Sequence, residues 1–523
     1  MASLGLPNLF GHPTIIAAMP RYDIDPNAVL PRTQWGRDKN VLLQALGTSL
    51  AANGLLILVC VGLGAFRDDA ASWAVLFGLP AAFVLAFANG ANDCANSVGT
   101  AVGAGALSMQ QALWMDAFVE FVGALTMGPF VAGTIAGGEV HADIYDGEPE
   151  VFSLLMLSVS IAAGATTLLA TVYGYPISAT HAVISGIVAA GLCSGFHGAV
   201  NWEGLGWTVL GWTLSPLVGM LAGMLVSFGV HKLVMGVEDP ASAAEARQPL
   251  LMSSTAYISF LFLMLKGPRQ LASWIGARFW LALLLPLPFA LLTGFFFTKA
   301  SVSRLSWPVF NVVPEEKSLV MSTLNQVVVQ SHSDESASIA SMDAALTETL
   351  DETQKRFVPL LIAAGLTVAF AHGGNDVGNA VGPLAVMVDI ARTSNIETTP
   401  ALPFSALLLG AIAFVIGILA LGSRTISTVG SKITALTPSR SYCTQLGTAV
   451  AVLLSSFMEL PVSTSHCLVG SMVGVAIAER HCGVPGVDLD LGVLKRIFLG
   501  WAVTIPLAAI FATLLFLPLK GLL

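Results

Sequence analysis

Residues 86–107 read AFANGANDCANSVGTAVGAGAL. The run that leads into them, WAVLFGLPAAFVL (73–85), is apolar enough to lie in lipid. Yet Asn89, Asn92, Asp93, Asn96, Ser97 and Thr100 follow in the middle of the same segment. An unpaired carboxylate in hydrocarbon is costly, so an acid inside a membrane segment points to function. Gly90, Gly99, Gly103 and Gly105 weaken a straight helix and favour an opened backbone. The stretch predicts an interrupted membrane element with a polar centre.

The stretch also returns. AFAHGGNDVGNAVGPLAV at 369–386 repeats it, with Asn92-Asp93 on Asn375-Asp376 and Asn96 on Asn379. A second motif, YPISATHAVISG (175–186), returns as LPVSTSHCLVGS (460–471). The displacements are 283 residues for the first motif (375 − 92) and 285 for the second (461 − 176). Two unrelated motifs in the same order at nearly one offset make the chain a duplicated unit. Duplicated halves, each with an interrupted hydrophobic segment, point to the site of a secondary transporter.

Composition agrees. The 523 residues are 55% hydrophobic and 11% charged, where a soluble domain is nearer a quarter charged. Apolar stretches of bilayer-crossing length recur, about twelve membrane elements in all, so the fold class is all-α and polytopic. The net charge of −9 argues against a nucleic-acid partner. The six cysteines form no CxxC pair and read as small buried hydrophobes.

The chain divides into a polar N-terminal segment (1–40), an additional membrane helix (41–66), a first repeat (73–230), a central linker (231–356) and a second repeat (357–518). The linker holds one or two hydrophobic segments, among them the ambiguous run 254–265. Its polar part, VVQSHSDESASIASMDAALTETLDETQKR (328–356), reads as solvated and partly disordered. The loop 137–150 is acidic and lacks Lys and Arg, which favours the outer face, while the basic residues of the linker favour the cytosol.

Each motif carries its own chemistry. A broken helix frees carbonyl oxygens, and with Asn92, Asp93, Asn375 and Asp376 these form hard-oxygen sites for a small monovalent cation. Capping of broken helix ends is the plainer use of the same residues. The Pro-x-Ser-x-[Thr/Ser]-His motifs read as helices that begin inside the membrane. Their free N–H groups attract an anion, and Ser178, Thr180, Ser463 and Ser465 add hydroxyl donors suited to a tetrahedral oxyanion. His181 and His466, which follow at once, read first as hydrogen-bonded structural residues.

Together these motifs resemble the inorganic phosphate transporter family, the sodium- or proton-coupled phosphate symporters. The resemblance rests on GANDCANSVGTAVG, PISATHA, AFAHGGNDVGNAVGPL and LPVSTSHCLVGS, and it spans about 73–230 and 357–518. It implies two inverted repeats with broken helices and re-entrant hairpins, a cytosolic central loop, a homodimer and a transport domain moving against a scaffold. It also implies a coupling role for Asp93 and Asp376, and Glu120 resembles a family acid. Three departures stand out. The 41–66 helix is additional, Gln445 stands where the family commonly has Glu, and Glu459 stands where a neutral residue is usual.

The resulting expectation is a phosphate symporter of the plasma membrane, not an enzyme, working by alternating access. Phosphate binds at Ser178, Thr180, Ser463 and Ser465. Sodium is the coupling ion and binds at Asp93 and Asp376 with Asn92 and Asn375, and no cofactor is expected. Glu120 and Gln445 are candidate coupling residues. The alternatives are a proton-coupled carrier of phosphate or another oxyanion, and a phosphate-sensing receptor.

Overall fold

Hydrocarbon offers the backbone no water, so a chain of this composition must satisfy its N–H and C=O groups within helices. The computed structural model describes residues 69–266, 279–299, 334–396, 403–457, 462–484, 487 and 489–523. Among them the chain is helical, and its only β-type pairings are two isolated bridges, Val140 with Val200 and Thr434 with Leu489. Segments 1–40 and 41–66, Glu459 and Pro461 lie outside the described residues.

The first repeat supplies α1 (Ala70–Gly103), α2 (Met109–Gly137), α3 (Pro149–Val172), α4 (Ala179–Leu192) and α5 (Trp202–Val230). Between the repeats lie α6 (Pro240–Lys266), α7 (Phe279–Leu284) and α8 (Pro286–Lys299). The second repeat supplies α9 (Asp334–Thr393), α10 (Phe404–Lys432), α11 (Pro438–Phe457), α12 (Thr464–His481) and α13 (Leu491–Lys520). Eight of the described helical segments are long and apolar enough to cross a bilayer. The 14-residue α4 is not. At 1.5 Å per residue it spans about 21 Å against a hydrocarbon core of about 30 Å, as a re-entrant element requires.

The two repeats are interlocked. α1 packs chiefly on α10, and its repeat image α9 packs on α2. Likewise α5 packs on α12, and α13 on α4. Glycines make these crossings close. A Cβ on Gly90 would fall on the Phe414 carbonyl oxygen, and one on Gly417 would fall on that of Phe87. The image pair is Gly373 against the Glu120 carbonyl and Gly123 against that of Phe370. In lipid, where apolar side chains gain nothing by leaving the solvent, such backbone approach is what holds helices together. The α5–α12 crossing uses Gly219 and Gly223 against Gly470 and Gly474 in the same way.

Two expectations need correction, and one open reading is narrowed. The helix breaks expected at both Asn-Asp motifs are absent, because α1 and α9 run through them without interruption. A helical carbonyl has a second lone pair, and donors from other helices reach it without opening the turn. Thr425 Oγ1 donates to the Ala91 carbonyl (2.8 Å), Asn89 Nδ2 to that of Asp376 (3.0 Å) and Gln445 Nε2 to that of Asn96 (3.1 Å). The solvated segment expected up to 356 is helical from Asp334 and continues as α9. The ambiguous run 254–265 belongs to the 27-residue α6, which packs on α8 and α9 and buries Leu251, Met252 and Phe262.

The crossings make a stability prediction. Gly123→Ala and Gly417→Ala force backbone apart, and overpacking of this kind costs about 1–3 kcal/mol. Gly229→Ala, where a Cβ meets nothing within 4 Å, should instead stabilise α5 by roughly 0.5–1 kcal/mol. Thermal unfolding of the three variants in detergent should therefore shift in opposite directions. A common shift would contradict the packing role of the glycines.

Candidate functional site

The tips of the two short helices decide the site's geometry. Ser178 caps α4 and accepts from the His181 N–H at 3.4 Å, while Ser463 holds the same place before α12 without a side-chain cap bond. Both helices thus begin inside the protein, where a helix start leaves N–H groups without intrahelical partners, and in α4 the His181 N–H is taken by Ser178. Ser178, Thr180, Ser463 and Ser465 are all buried. The tips meet, because Ser465 Oγ reaches the Ile177 carbonyl at 3.4 Å.

Each tip also touches the Asn-Asp motif of the other repeat. Asn96 Nδ2 donates to Ser465 Oγ (3.0 Å), Thr464 Oγ1 (3.2 Å) and Asp93 Oδ1 (2.8 Å), and Ser465 Oγ donates to Asp93 Oδ1 (3.1 Å). In the image arrangement Asn379 Nδ2 donates to Thr180 Oγ1 at 3.2 Å. The structure therefore brings the four hydroxyl residues and both acids into one buried centre.

The acids converge on His372. Its Nε2 lies 2.5 Å from Asp376 Oδ2 and 3.7 Å from Asp93 Oδ2, and its Nδ1 lies 2.8 Å from Glu120 Oε1. One ligand atom from each of Asp93, His372 and Asp376 falls within 4.8 Å of the others. Within that cluster the two carboxylates are the groups suited to a hard cation. The ring is engaged by Glu120, and as imidazolium it offers an N–H to an acid on each side.

Other expected residues take different places. Asn92, expected as a cation ligand, spends its amide on the first tip. It donates to Thr171 Oγ1 (2.9 Å) and the Tyr175 carbonyl (3.0 Å) and accepts from the Ile177 N–H (2.9 Å). It positions the loop before α4. Asn375 holds the matching position on α9 and is half-buried. Gln445 donates to the Asn96 carbonyl and to Thr100 Oγ1 (2.7 Å), with its own Oε1 unpartnered. A carboxyl there would have to be protonated to donate to the Asn96 carbonyl, and its single O–H could not donate both bonds. His181 and His466 pack edge to face with centroids 4.8 Å apart, against Trp212 and Trp501, and His466 Nδ1 bonds the Trp212 carbonyl at 3.1 Å. The expected hydrogen bond is thus present for His466, whereas both ring nitrogens of His181 are without a partner and its ring is held by packing.

The sequence reading missed His372 and Asp116. His372 was visible as the one polar replacement in the repeat, AFAHGGND against AFANGAND. Asp116 gave no signal beyond a lone acid one turn before Glu120. It is fully buried, and Ser97 Oγ donates to its Oδ1 at 2.5 Å.

Comparison with known proteins places this geometry in context. The profile described as the phosphate transporter family matches residues 89–512. A Haemophilus influenzae protein named "Putative phosphate permease" is 31% identical over 86% of this chain and 97% of its own length. The Arabidopsis thaliana protein named "Inorganic phosphate transporter 2-1, chloroplastic" is 31% identical over 84% of this chain and 70% of its own. Among solved structures, "The sodium-dependent phosphate transporter" is similar with a TM-score of 0.69 at 30% identity, covering 86% of this chain and all of that one. Its helices, its duplicated motifs and these matches together make the chain a multi-pass integral membrane protein and a transporter rather than an enzyme: it belongs to the phosphate transporter family.

Proposed function

We propose that the chain is a sodium-coupled symporter of inorganic phosphate that works by alternating access. The observation that carries this reading is the meeting of both re-entrant tips with the Asn-Asp motifs of the opposite repeats, through Asn96–Ser465 and Asn379–Thr180. Phosphate binds between Ser178–Thr180 and Ser463–Ser465, on the N–H groups and partial positive charge of two helix starts. Sodium binds at Asp93 and Asp376. An anion that leaves water loses solvation, and cations beside it lower that cost. Each ligand thereby favours the other, and the linkage is reciprocal.

The exchange of partners between repeats supports an inverted relationship. A unit with an odd number of crossings returns upside down, and two such units rock about a shared centre. Sodium is supported by the oxygen ligands of both acids and by the sodium dependence in the structural neighbour's name. The plasma membrane and a homodimer complete the proposal, with the basic central segment on the cytosolic side. A proton-coupled reading is favoured by one observation, the Glu120–His372–Asp376 chain, which links two carboxylates through an imidazole.

Three outcomes test the proposal. Asp93→Asn and Asp376→Asn each impair coupled uptake while folded protein remains in the membrane, and wild-type uptake with unchanged cation dependence would remove both residues from the mechanism. Ser178→Ala with Ser463→Ala removes one hydroxyl from each tip. A hydrogen bond to a charged group contributes roughly 1.5–3 kcal/mol, so phosphate binds about ten-fold or more weaker per lost bond. Unaltered phosphate affinity would leave the two serines as caps alone.

The ion is tested in vesicles. A sodium gradient at fixed pH drives phosphate uptake, and a pH gradient without sodium drives little. Gln445→Glu introduces a carboxyl that must be protonated to bond the Asn96 carbonyl, so it changes the pH dependence of uptake more than substrate choice. Strong uptake driven by pH alone in sodium-free vesicles would reassign the ion to the proton.

A further inference from the structure

α2 places Asp116 and Glu120 one turn apart on the same face, and both are fully buried. Ser97 Oγ donates to Asp116 Oδ1, and His372 Nδ1 faces Glu120 Oε1. The second oxygens, Asp116 Oδ2 and Glu120 Oε2, are buried and have no hydrogen-bond partner. Among the described residues no lysine or arginine pairs with either acid. The titratable groups facing the pair are Cys94 and Asp93 of α1 and His372 and Asp376 of α9. On α10, Arg424 turns instead to the Val172 carbonyl.

We propose that Asp116 and Glu120 are a proton-binding site, holding one proton between them on Asp116. Two buried carboxylates side by side do not both stay ionised. A proton taken from water onto Asp116 Oδ2 gives one O–H donor for Glu120. Glu120 then remains an acceptor toward His372. A hard metal cation of the calcium type takes six or more oxygens, and this pair offers two without partners, which favours the proton over a metal ion.

The repeat supplies an independent argument. By the glycine register Gly123 matches Gly417, so Glu120 matches Phe414, Asp116 matches Gly410 and His372 matches Asn89. The second half therefore carries no acid pair and no imidazole at the equivalent place. The site is an addition to the duplicated Asn-Asp centre, not a copy of it. Its effect is to remove one negative charge beside Asp93 and Asp376. That consequence rests on the transport reading above, whereas the bound proton does not.

The test is infrared spectroscopy of the purified full chain in lipid bilayers, which reads the C=O stretch of a protonated carboxyl. At pH 7 the wild-type protein shows such a band. Asp116→Asn loses it, and Glu120→Gln shifts its frequency, because the acceptor of the O–H has changed. No band in the wild type, or an unchanged band in Asp116→Asn, overturns the proposal. So does loss of the band on adding sodium at fixed pH, which would give the pair to sodium instead. Should Asp116→Asn not fold, Glu120→Gln decides alone, since an unmoved band overturns the site and a shifted one supports it. Failure of sodium-driven uptake with the band intact would count against the symport reading and leave the proton site standing.

Discussion

Backbone-to-backbone contact at glycine is the constraint on which this structure depends. α1 and α10, and in image α9 and α2, approach until a glycine of each helix lies on a carbonyl oxygen of the other. The contact is made between repeats rather than within them, so neither half can assemble its centre alone. It also sets the distance at which side chains meet. Because the Gly373 contact is with the Glu120 backbone, the neighbouring His372 lies within reach of the Glu120 carboxyl. A wider crossing filled by side chains would separate that pair.

The centre is symmetric in its frame and asymmetric in its charge. Asn96 with Ser465 and Asn379 with Thr180 repeat one contact in both halves. The acids do not repeat beyond Asp93 and Asp376. On one side stand Asp116, Glu120 and His372, the last two paired at 2.8 Å, and on the other Gly410, Phe414 and Asn89 take their places. Phe414 instead packs its ring 5.6 Å from that of His372. Duplication thus supplies a frame that places two acids, Asp93 and Asp376, alike, and the difference between halves gives them unlike surroundings.

Much of this was legible in the residues, and the misses have physical causes. The repeat, the helical class, the helix starts at Ser178 and Ser463 and the gathering of Asp93, Asp376 and the tip hydroxyls follow from spacing and residue type. The expected helix breaks did not follow, since glycine has two uses in a membrane helix. Local sequence does not distinguish an opened backbone from a close crossing, and here Gly90 and Gly103 serve the crossing. Asn92 shows the same ambiguity of local sequence. Its amide suits a cation or a loop, and only the position of Tyr175 and Ile177 decides between them. Asp116 was missed because its partner lies on another helix, at Ser97.

The central claim is that phosphate and sodium bind at one centre and each strengthens the other. The most direct measurement is calorimetric titration of phosphate into the purified chain, at fixed pH and ionic strength, with sodium replaced stepwise by choline. The account predicts that phosphate affinity falls as sodium is withdrawn, and that sodium affinity falls equally when phosphate is absent. Phosphate binding of equal strength in sodium-free buffer would contradict it.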